Sequence, residues 1–154
     1  MAREIEKVTG SPEATWDLGR ELAATLRAGH VLILTGDLGA GKTALVRGIA
    51  AGLGVKGHVS SPTFTILHMH EAGRPGGLAL NHFDVYRLSD AQAFYDNGLD
   101  ELVGQEAVSV LEWGDRVREA LPREAIEIKL TFGQEADQRI FKIIYPDQDE
   151  RGDL

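Results

Sequence analysis

The hydrophobic positions of the chain follow two different periods. The continuous apolar run at 31–34 lacks alternation, which is typical of a parallel strand covered on both faces, and Val-Ser-Val-Leu at 108–111 is a second buried-strand run. In two other stretches an apolar residue recurs every four positions, which predicts amphipathic helices. These stretches contain Leu18, Leu22 and Leu26, and then Leu45, Ile49 and Leu53. Buried strands that alternate with amphipathic helices predict an α/β fold.

Turn-forming and helix-capping residues mark the boundaries of these elements. Ser11-Pro12-Glu13 is a helix start, with a hydroxyl N-cap, a proline in the first turn and an acid near the positive helix end. We expect Gly29 and Gly54 to end the two long helices. The remaining pattern predicts strands at Arg3–Thr9, 63–71, 78–86, 125–132 and Arg139–Tyr145, short helices at 90–97 and 115–120, and a frayed tail at 146–154.

A glycine-rich turn at 73–77 joins strands 63–71 and 78–86 into a β-hairpin, and the segment 133–137 joins strands 125–132 and Arg139–Tyr145 into a second one. No linker, internal repeat or low-complexity block divides the chain. We therefore expect a single α/β domain over residues 1–154, with a mixed sheet flanked by helices and hairpins.

The composition excludes several classes of protein. The chain has 154 residues and no cysteine, which excludes disulfides, thiolate metal sites and a cysteine nucleophile. It has neither an apolar run of about 18 residues nor a signal-peptide pattern, so we expect a cytoplasmic protein without membrane contact. The net charge is −8, and the acidic excess lies in residues 61–154. Clustered basic residues normally bind phosphate backbones, so we expect no binding of tRNA or DNA by this chain alone.

Glycine is abundant, and much of the excess is local. Of 18 glycines, eight lie between positions 29 and 57. They include those of the motif G-x-x-x-x-G-K-T, which follows a buried strand and opens a helix, the context expected of a phosphate-binding P-loop. The predicted nucleotide-binding residues are Gly36, Asp37, Leu38, Gly39, Ala40, Gly41, Lys42 and Thr43. Within the motif, Lys42 is expected to reach the β- and γ-phosphates, and the Thr43 hydroxyl to bind Mg²⁺.

A P-loop also needs an acidic side chain at the end of a neighbouring strand, to hold the metal directly or through water. Glu112 follows the apolar run 108–111, and Asp84 follows the less apolar stretch 80–83. The spacing alone leaves open which of the two binds the metal and which acts on the attacking water.

Three further features each allow two interpretations. The segment 60–65 is rich in hydroxyls and is either a switch loop that senses the γ-phosphate or an ordinary strand entry. Trp113 either packs in the core or stands beside the site. Three histidines that a hairpin brings to one sheet face form either a zinc site or a polar surface. They are His68, His70 and His82.

Five segments, taken together and in order, resemble the TsaE (YjeE) family of bacterial P-loop ATPases of tRNA threonylcarbamoyladenosine biosynthesis. The resemblance covers about residues 9–145. The segments are Gly-Asp-Leu-Gly-Ala-Gly-Lys-Thr at 36–43, Ser-Pro-Thr-Phe-Thr at 61–65, His-Phe-Asp-Val-Tyr-Arg-Leu at 82–88, Gly-Leu-Asp-Glu at 98–101 and Leu-Glu-Trp at 111–113. The turn 74–77 is longer and richer in glycine than we expect of the family.

The resemblance implies an ATP- and Mg²⁺-binding protein that hydrolyses ATP weakly alone and works with the TsaB–TsaD complex, which its hydrolysis resets between turnovers. By motif, Lys42, Asp84 and Glu112 would be catalytic, with Asp84 acting on the attacking water. Thr43 and Glu112 would be the metal ligands. The switch-like or nearby residues would be Ser61, Thr63, Trp113 and Asp115, and Thr9, Thr15 and Phe132 would flank the adenine.

Three other functions stay open at this stage. A small-molecule kinase would need a lid, for which Arg116, Arg118 and Arg123 are the candidates. A GTP-dependent switch would need the guanine-reading pattern Asn-Lys-x-Asp, which is missing from the sequence. A nucleotide-dependent scaffold would need ATP binding without hydrolysis. No arginine is clearly placed as a catalytic finger; Arg87, Arg116 and Arg118 are candidates, or a partner supplies that charge.

Overall fold

The computed structural model describes residues 3–36, 39–57 and 66–146, and in them all strands join one seven-stranded sheet. The strands are β1 (Arg3–Thr9), β2 (Val31–Thr35), β3 (Leu67–His70), β4 (Leu80–Asp84), β5 (Val108–Glu112), β6 (Ile126–Phe132) and β7 (Arg139–Tyr145). The helices are α1 (Pro12–Ala23), α2 (Gly39–Leu53) and α3 (Ala91–Asp96), with 3₁₀ helices at Leu99–Leu102 and Gly114–Ala120. Among the described residues, no helix combines the length and the apolar character needed to cross a membrane.

The sheet is parallel at its centre and antiparallel at its edges. Its strand order is β1-β7-β6-β2-β5-β4-β3. Strand β2 pairs in parallel with both β5 and β6, and β4 pairs in parallel with β5. The hairpins β3–β4 and β6–β7 are antiparallel, as is the pairing of β1 with β7. The predicted α/β fold with a mixed sheet and hairpins is confirmed.

Each face of the sheet covers a separate apolar core, because successive side chains of a strand point to opposite faces. In β2, Leu32 and Leu34 pack with α1 and α2, whereas Val31 and Ile33 pack with α3 and the second 3₁₀ helix. All four side chains are at most 3% exposed. The unbroken apolar run in the sequence is therefore explained by burial on both faces.

Helices α1 and α2 approach each other so closely that three contact positions have no room for a side chain. A Cβ atom at Gly48 would lie 2.0 Å from the carbonyl oxygen of Trp16, and one at Gly19 would lie 2.4 Å from that of Leu45. A Cβ at Gly52 would lie 2.5 Å from the Cβ of Ala23. Part of the local glycine excess thus serves helix packing rather than phosphate binding.

The predicted extent of the first helix is wrong at its C-terminal end. Helix α1 ends at Ala23, and Leu26 is buried from the turn that follows it. The Thr25 hydroxyl donates to the Leu22 carbonyl at 2.7 Å, and the Leu26 amide donates to the carbonyl three residues earlier. These bonds divert the chain from the helical pattern. Gly29 does have a left-handed conformation, at φ 91°, but it lies in the loop before β2.

Other boundaries also differ from the prediction. The stretch 63–65 of the predicted third strand lies outside the described residues. The described strand ends at His70, since Glu71 and Ala72 pair with the segment that follows α2. Strand β4 is shorter than predicted because the chain turns after Asp84, where the Leu88 amide donates to the Val85 carbonyl.

Near the C-terminus, the helix predicted at 115–120 is a 3₁₀ helix with a non-helical residue at Val117. The strands predicted at 125–132 and Arg139–Tyr145 are present, the first from Ile126. Of the predicted tail, residues 147–154 lie outside the described part of the chain.

The α1–α2 contact generates a stability prediction. An alanine normally stabilises a helix by about 1 kcal/mol relative to glycine. We expect Gly48→Ala to destabilise the protein instead, by about 1–3 kcal/mol, because its methyl group would force the two helix backbones apart. Chemical denaturation of both proteins measures this difference.

The matched control is Gly10→Ala, since a Cβ there meets nothing within 4 Å. We expect it to leave the free energy of unfolding nearly unchanged. Equal stability of Gly48→Ala and the wild type would contradict the proposed close packing.

Candidate functional site

The P-loop motif joins the central strand to the N-terminus of α2. Strand β2 ends at Thr35, and Gly36 follows with φ 126°, a conformation that L side chains rarely adopt. A Cβ at Gly36 would also lie 2.5 Å from the carbonyl oxygen of Leu130. Helix α2 begins at Gly39, so Lys42 and Thr43 lie in its first turns. Asp37 and Leu38 lie outside the described residues.

Both predicted acids lie at the ends of adjacent parallel strands. Asp84 ends β4, Glu112 ends β5, and the two are directly paired in the strand register. Glu112 is also the register partner of Leu34, two residues before Gly36. Because the carboxyl ends of parallel strands meet at one sheet edge, both acids and the P-loop share that edge.

The environments of the two acids differ. Glu112 is 4% exposed, and its Oε2 atom lies 2.6 Å from Nε2 of His82, which is 1% exposed. Asp84 is only half-buried, and its Oδ1 atom accepts a hydrogen bond of 3.1 Å from the Tyr86 amide. Glu112 is therefore held in a desolvated position, whereas Asp84 is accessible to water.

Trp113 directly follows Glu112 and contacts the P-loop lysine. The Lys42 Nζ atom lies 3.9 Å from the centre of the indole ring, and Lys42 itself is 2% exposed. Trp113 is the one non-glycine residue with positive φ, 64°, in the described part of the chain. Its amide donates to the Leu34 carbonyl at 2.8 Å. The half-buried Trp113 thus stands beside the site instead of serving only as core.

The aromatic contact extends outward to Tyr86 and Arg116. The rings of Tyr86 and Trp113 are 5.0 Å apart, and the Arg116 guanidinium lies 4.8 Å from the Tyr86 ring centre. Arg118 points elsewhere, since its Nη1 donates to the Pro122 carbonyl at 2.9 Å and its Nε lies 3.6 Å from a Glu127 oxygen. Arg116 thus contacts the aromatic pair that includes the Lys42 partner Trp113, whereas Arg118 has other partners.

A narrow cleft lies on the other side of the α2 N-terminus. Its volume is about 40 Å³, and its lining combines the start of α1 with the start of α2 and β7. The lining residues are Ser11, Pro12, Thr15, Gly41, Ala44, Asp137 and Arg139. Of the residues predicted to flank the adenine, Thr15 lines this cleft, and the Thr9 hydroxyl bonds to that of Thr15 at 2.7 Å. Phe132 is 62% exposed and lies beneath the Arg139 guanidinium, 4.9 Å from it.

The three histidines share the sheet face of Glu112. His68 is the register partner of His82, and the rings of His68 and His70 are 6.2 Å apart. Desolvation lowers the pKa of His70, and positive charge on His82 and His68 lowers it further. In the described ranges, no group of three or more His, Asp or Glu residues could hold a metal ion.

Of the remaining predicted site residues, only Asp115 lies within the described ranges. Ser61 and Thr63 of the predicted switch loop lie outside the described residues. Asp115 is exposed and lies in the first turn of the second 3₁₀ helix, two residues beyond Trp113. These residues stay predictions.

Two features of the site were not predicted from the sequence, namely the hydrogen bond between His82 and Glu112 and the position of Arg139 in the lining of the cleft. Alternation along β4 places His82 on the same face as Asp84, but its bond to Glu112 depends on the register of β4 against β5. The lining of the cleft by Arg139 likewise depends on the position of β7. For the histidine, the pattern His-x-Asp before a strand end is the signal that could have been used.

The residues at this edge match the needs of a bound Mg²⁺–nucleotide. Glu112, Asp84 and Thr43 carry oxygen donors, the type that Mg²⁺ prefers. Lys42 and the amide groups at the start of α2 suit phosphate oxygens. The donor set therefore fits the group that the motif implies.

The comparisons with known proteins agree on one family. The family model described as threonylcarbamoyl adenosine biosynthesis protein TsaE matches residues 9–141. A Treponema pallidum protein named tRNA threonylcarbamoyladenosine biosynthesis protein TsaE is 39% identical over 133 residues, which are 86% of this chain and 96% of the relative. A Bacillus subtilis protein of the same name is 38% identical over 138 residues, covering 90% and 84% of the two chains.

The crystal structure of Bacillus subtilis YdiB has the same P-loop NTPase-like fold. It superimposes with a TM-score of 0.75 at 34% sequence identity, over 94% of this chain and 87% of that chain. The matched family model alone spans most of the sequence. The chain belongs to the TsaE family of threonylcarbamoyladenosine biosynthesis proteins.

Proposed function

We propose that this protein binds ATP with Mg²⁺, hydrolyses it slowly, and supports the TsaB–TsaD complex in the threonylcarbamoyladenosine modification of tRNA. The observation that carries the proposal is the register pairing of Asp84 with Glu112 at the strand ends that face the P-loop. That pairing supplies two carboxylates beside a phosphate-binding helix end, one suited to hold a metal and one to orient a water for phosphoanhydride hydrolysis.

The two acids divide the work according to their surroundings. Buried and held by His82, Glu112 is suited to hold the metal together with the Thr43 hydroxyl. Asp84 is half-buried and accessible, so it is suited to orient the attacking water and accept its proton. Bound Mg²⁺ would neutralise charge that develops on the phosphate oxygens. Lys42 and the N-terminus of α2 bind the phosphate oxygens and hold the γ-phosphate in place.

The positions of two candidate finger arginines support slow hydrolysis by the isolated chain. Arg118 is engaged by the Pro122 carbonyl, and Arg116 lies on the outer side of the Tyr86–Trp113 stack. An added cationic group is worth about 10³–10⁵ in rate for related phosphoryl transfers. We propose that association with the partner complex supplies or repositions that charge.

The acidic surface supports a role through protein partners. Residues 84–112, with Asp84 and Glu112 included, contain seven acids and one basic residue, Arg87. With a net charge of −8, the chain is unsuited to bind a tRNA backbone by itself. Contact with tRNA would therefore come through TsaB–TsaD.

The small-molecule kinase is less well supported. Its lid would use the segment that carries Arg116 and Arg118, but this segment is a 3₁₀ helix of seven residues. The Arg118 guanidinium donates a hydrogen bond to the nearby Pro122 carbonyl, so it does not extend from this segment as a lid residue would. A scaffold that binds ATP without hydrolysis is instead an outcome of the experiment below.

Substitutions of Asp84, at a strand end, and of Lys42, in the P-loop, test the proposed roles in hydrolysis and in nucleotide binding. We expect Asp84→Asn to reduce ATP hydrolysis by about 10²–10⁴-fold without loss of Mg²⁺–ADP affinity, because it removes a proton acceptor but no phosphate contact. We expect Lys42→Ala to weaken nucleotide binding itself. Phosphate release, with and without TsaB–TsaD, and calorimetric titration with ADP measure the two effects.

Glu106→Gln is the control, since Glu106 is an exposed acid outside the site, and we expect wild-type behaviour. Wild-type turnover by Asp84→Asn would remove Asp84 from the mechanism. Full cellular function of a hydrolysis-deficient, ADP-binding Asp84→Asn variant would favour the scaffold over the ATPase.

We propose that one edge of the base contacts the cleft beside α2, which at about 40 Å³ is too small to enclose the whole base. Ala44 lines this cleft, so Ala44→Leu should fill it and weaken ADP binding about tenfold or more. Binding of inorganic tripolyphosphate should stay unchanged, because it does not use the base side. Ala51→Leu is the matched control, as it places the same side chain on an exposed position of α2. Equal ADP affinity of the two variants would place the base elsewhere.

A further inference from the structure

We infer that His82 is a positioning residue, which holds the carboxylate of Glu112 in the orientation that binds Mg²⁺. The inference rests on the proposed function, because it assigns a task to a side chain that supports a proposed metal ligand. It assigns a role to His82, which is neither part of the P-loop nor one of the two acids at the strand ends.

The strand register places the two side chains on one face. In the parallel pair β4–β5, His82 lies opposite Val110, and Asp84 lies opposite Glu112. His82 and Glu112 are therefore diagonal neighbours, one pleat apart. His82 shares its face with Leu80, and Glu112 shares it with Val108 and Val110, both of which pack in the core under α1 and α2. The diagonal crosses the sheet directly beneath the P-loop helix.

The bond between the two side chains is short and desolvated. The His82 Nε2 atom lies 2.6 Å from Glu112 Oε2, with side-chain exposures of 2% and 5%. A buried carboxylate needs such a donor, because water no longer solvates it. Among the described residues, no other hydrogen bond to Glu112 restrains its side chain. His82 therefore restricts the carboxylate to one orientation and leaves Oε1 for another ligand.

The second ring nitrogen of His82 argues against a purely structural task. Its Nδ1 atom is buried and has no hydrogen-bond partner. A pair of apolar side chains would fill this space without an unsatisfied polar atom, and such replacements of buried polar pairs often preserve or raise stability. Stability alone therefore does not explain the His82–Glu112 pair, whereas a carboxylate held in one orientation is suited to bind a metal ion.

The expected consequence is a change in metal dependence. Partners that orient metal ligands typically contribute about 10–100-fold to metal affinity. Loss of the His82 donor should raise the Mg²⁺ concentration that half-saturates tight ADP binding by about that factor. Binding of ADP without Mg²⁺ should stay unchanged, since Lys42 and the P-loop backbone do not depend on His82.

Two variants of the full chain separate positioning from folding. His82→Leu fills a similar volume with an apolar side chain but removes the hydrogen-bond donor. His82→Gln retains an amide N–H near the position of Nε2. Calorimetric titrations of ADP at increasing Mg²⁺ concentrations, and in EDTA, measure the metal dependence without hydrolysis. Ser109→Ala is the matched control, because Ser109 is a buried polar residue of β5 that bonds to the Gly104 amide instead.

We expect His82→Leu to require about 10–100-fold more Mg²⁺, His82→Gln to restore most of the wild-type value, and Ser109→Ala to match the wild type. An unchanged Mg²⁺ requirement in His82→Leu would overturn the inference. So would a glutamine variant as defective as the leucine variant, or an equal loss of ADP affinity in EDTA. If the wild type itself shows no Mg²⁺-dependent ADP binding, the proposed function fails, whatever the variants do.

Discussion

The parallel pairing of β2 with β5 and of β5 with β4 is the constraint on which the rest of the site depends. It brings the end of the P-loop strand, Glu112 and Asp84 to one edge of the sheet although they are far apart in sequence. The hydrogen bonds that carry this arrangement belong to the backbone of a core buried on both faces. The acids are thus positioned by strands that side-chain motion at the surface hardly disturbs.

The close contact of α1 with α2 completes the other side of the site. Because Gly19, Gly48 and Gly52 allow the two helix backbones to approach, the start of α1 lies beside the start of α2. The Ser11 hydroxyl accepts from the Ala14 amide and holds that first turn in place. A packing interaction in the helix interior therefore shapes a cleft at the helix ends.

Much of this arrangement could be predicted from local patterns, and the rest depended on register or on competing hydrogen bonds. The buried runs at β2 and β5 and the capping residues at the start of α1 identified their elements, and the P-loop and both acids were predicted at strand ends. The end of α1 was missed because leucine spacing continues through Leu26 after Thr25 has diverted the backbone. The His82–Glu112 contact depends on how β4 aligns with β5. The pattern His-x-Asp before a strand end places His82 on the face of Asp84 but does not give that alignment.

Because Lys42 stacks on Trp113, the proposed binding of a phosphate at this lysine would replace one interaction of the ammonium with another. A cation over an indole ring is stabilised by about 0.5–2 kcal/mol, more when desolvated, and the ammonium lies 3.9 Å from the ring centre. A γ-phosphate that attracted Lys42 would compete with the indole, so the ring would lower the affinity for the proposed nucleotide. Movement of Tyr86 or Arg116, on the exposed side of the same stack, would alter that affinity from outside the phosphate site.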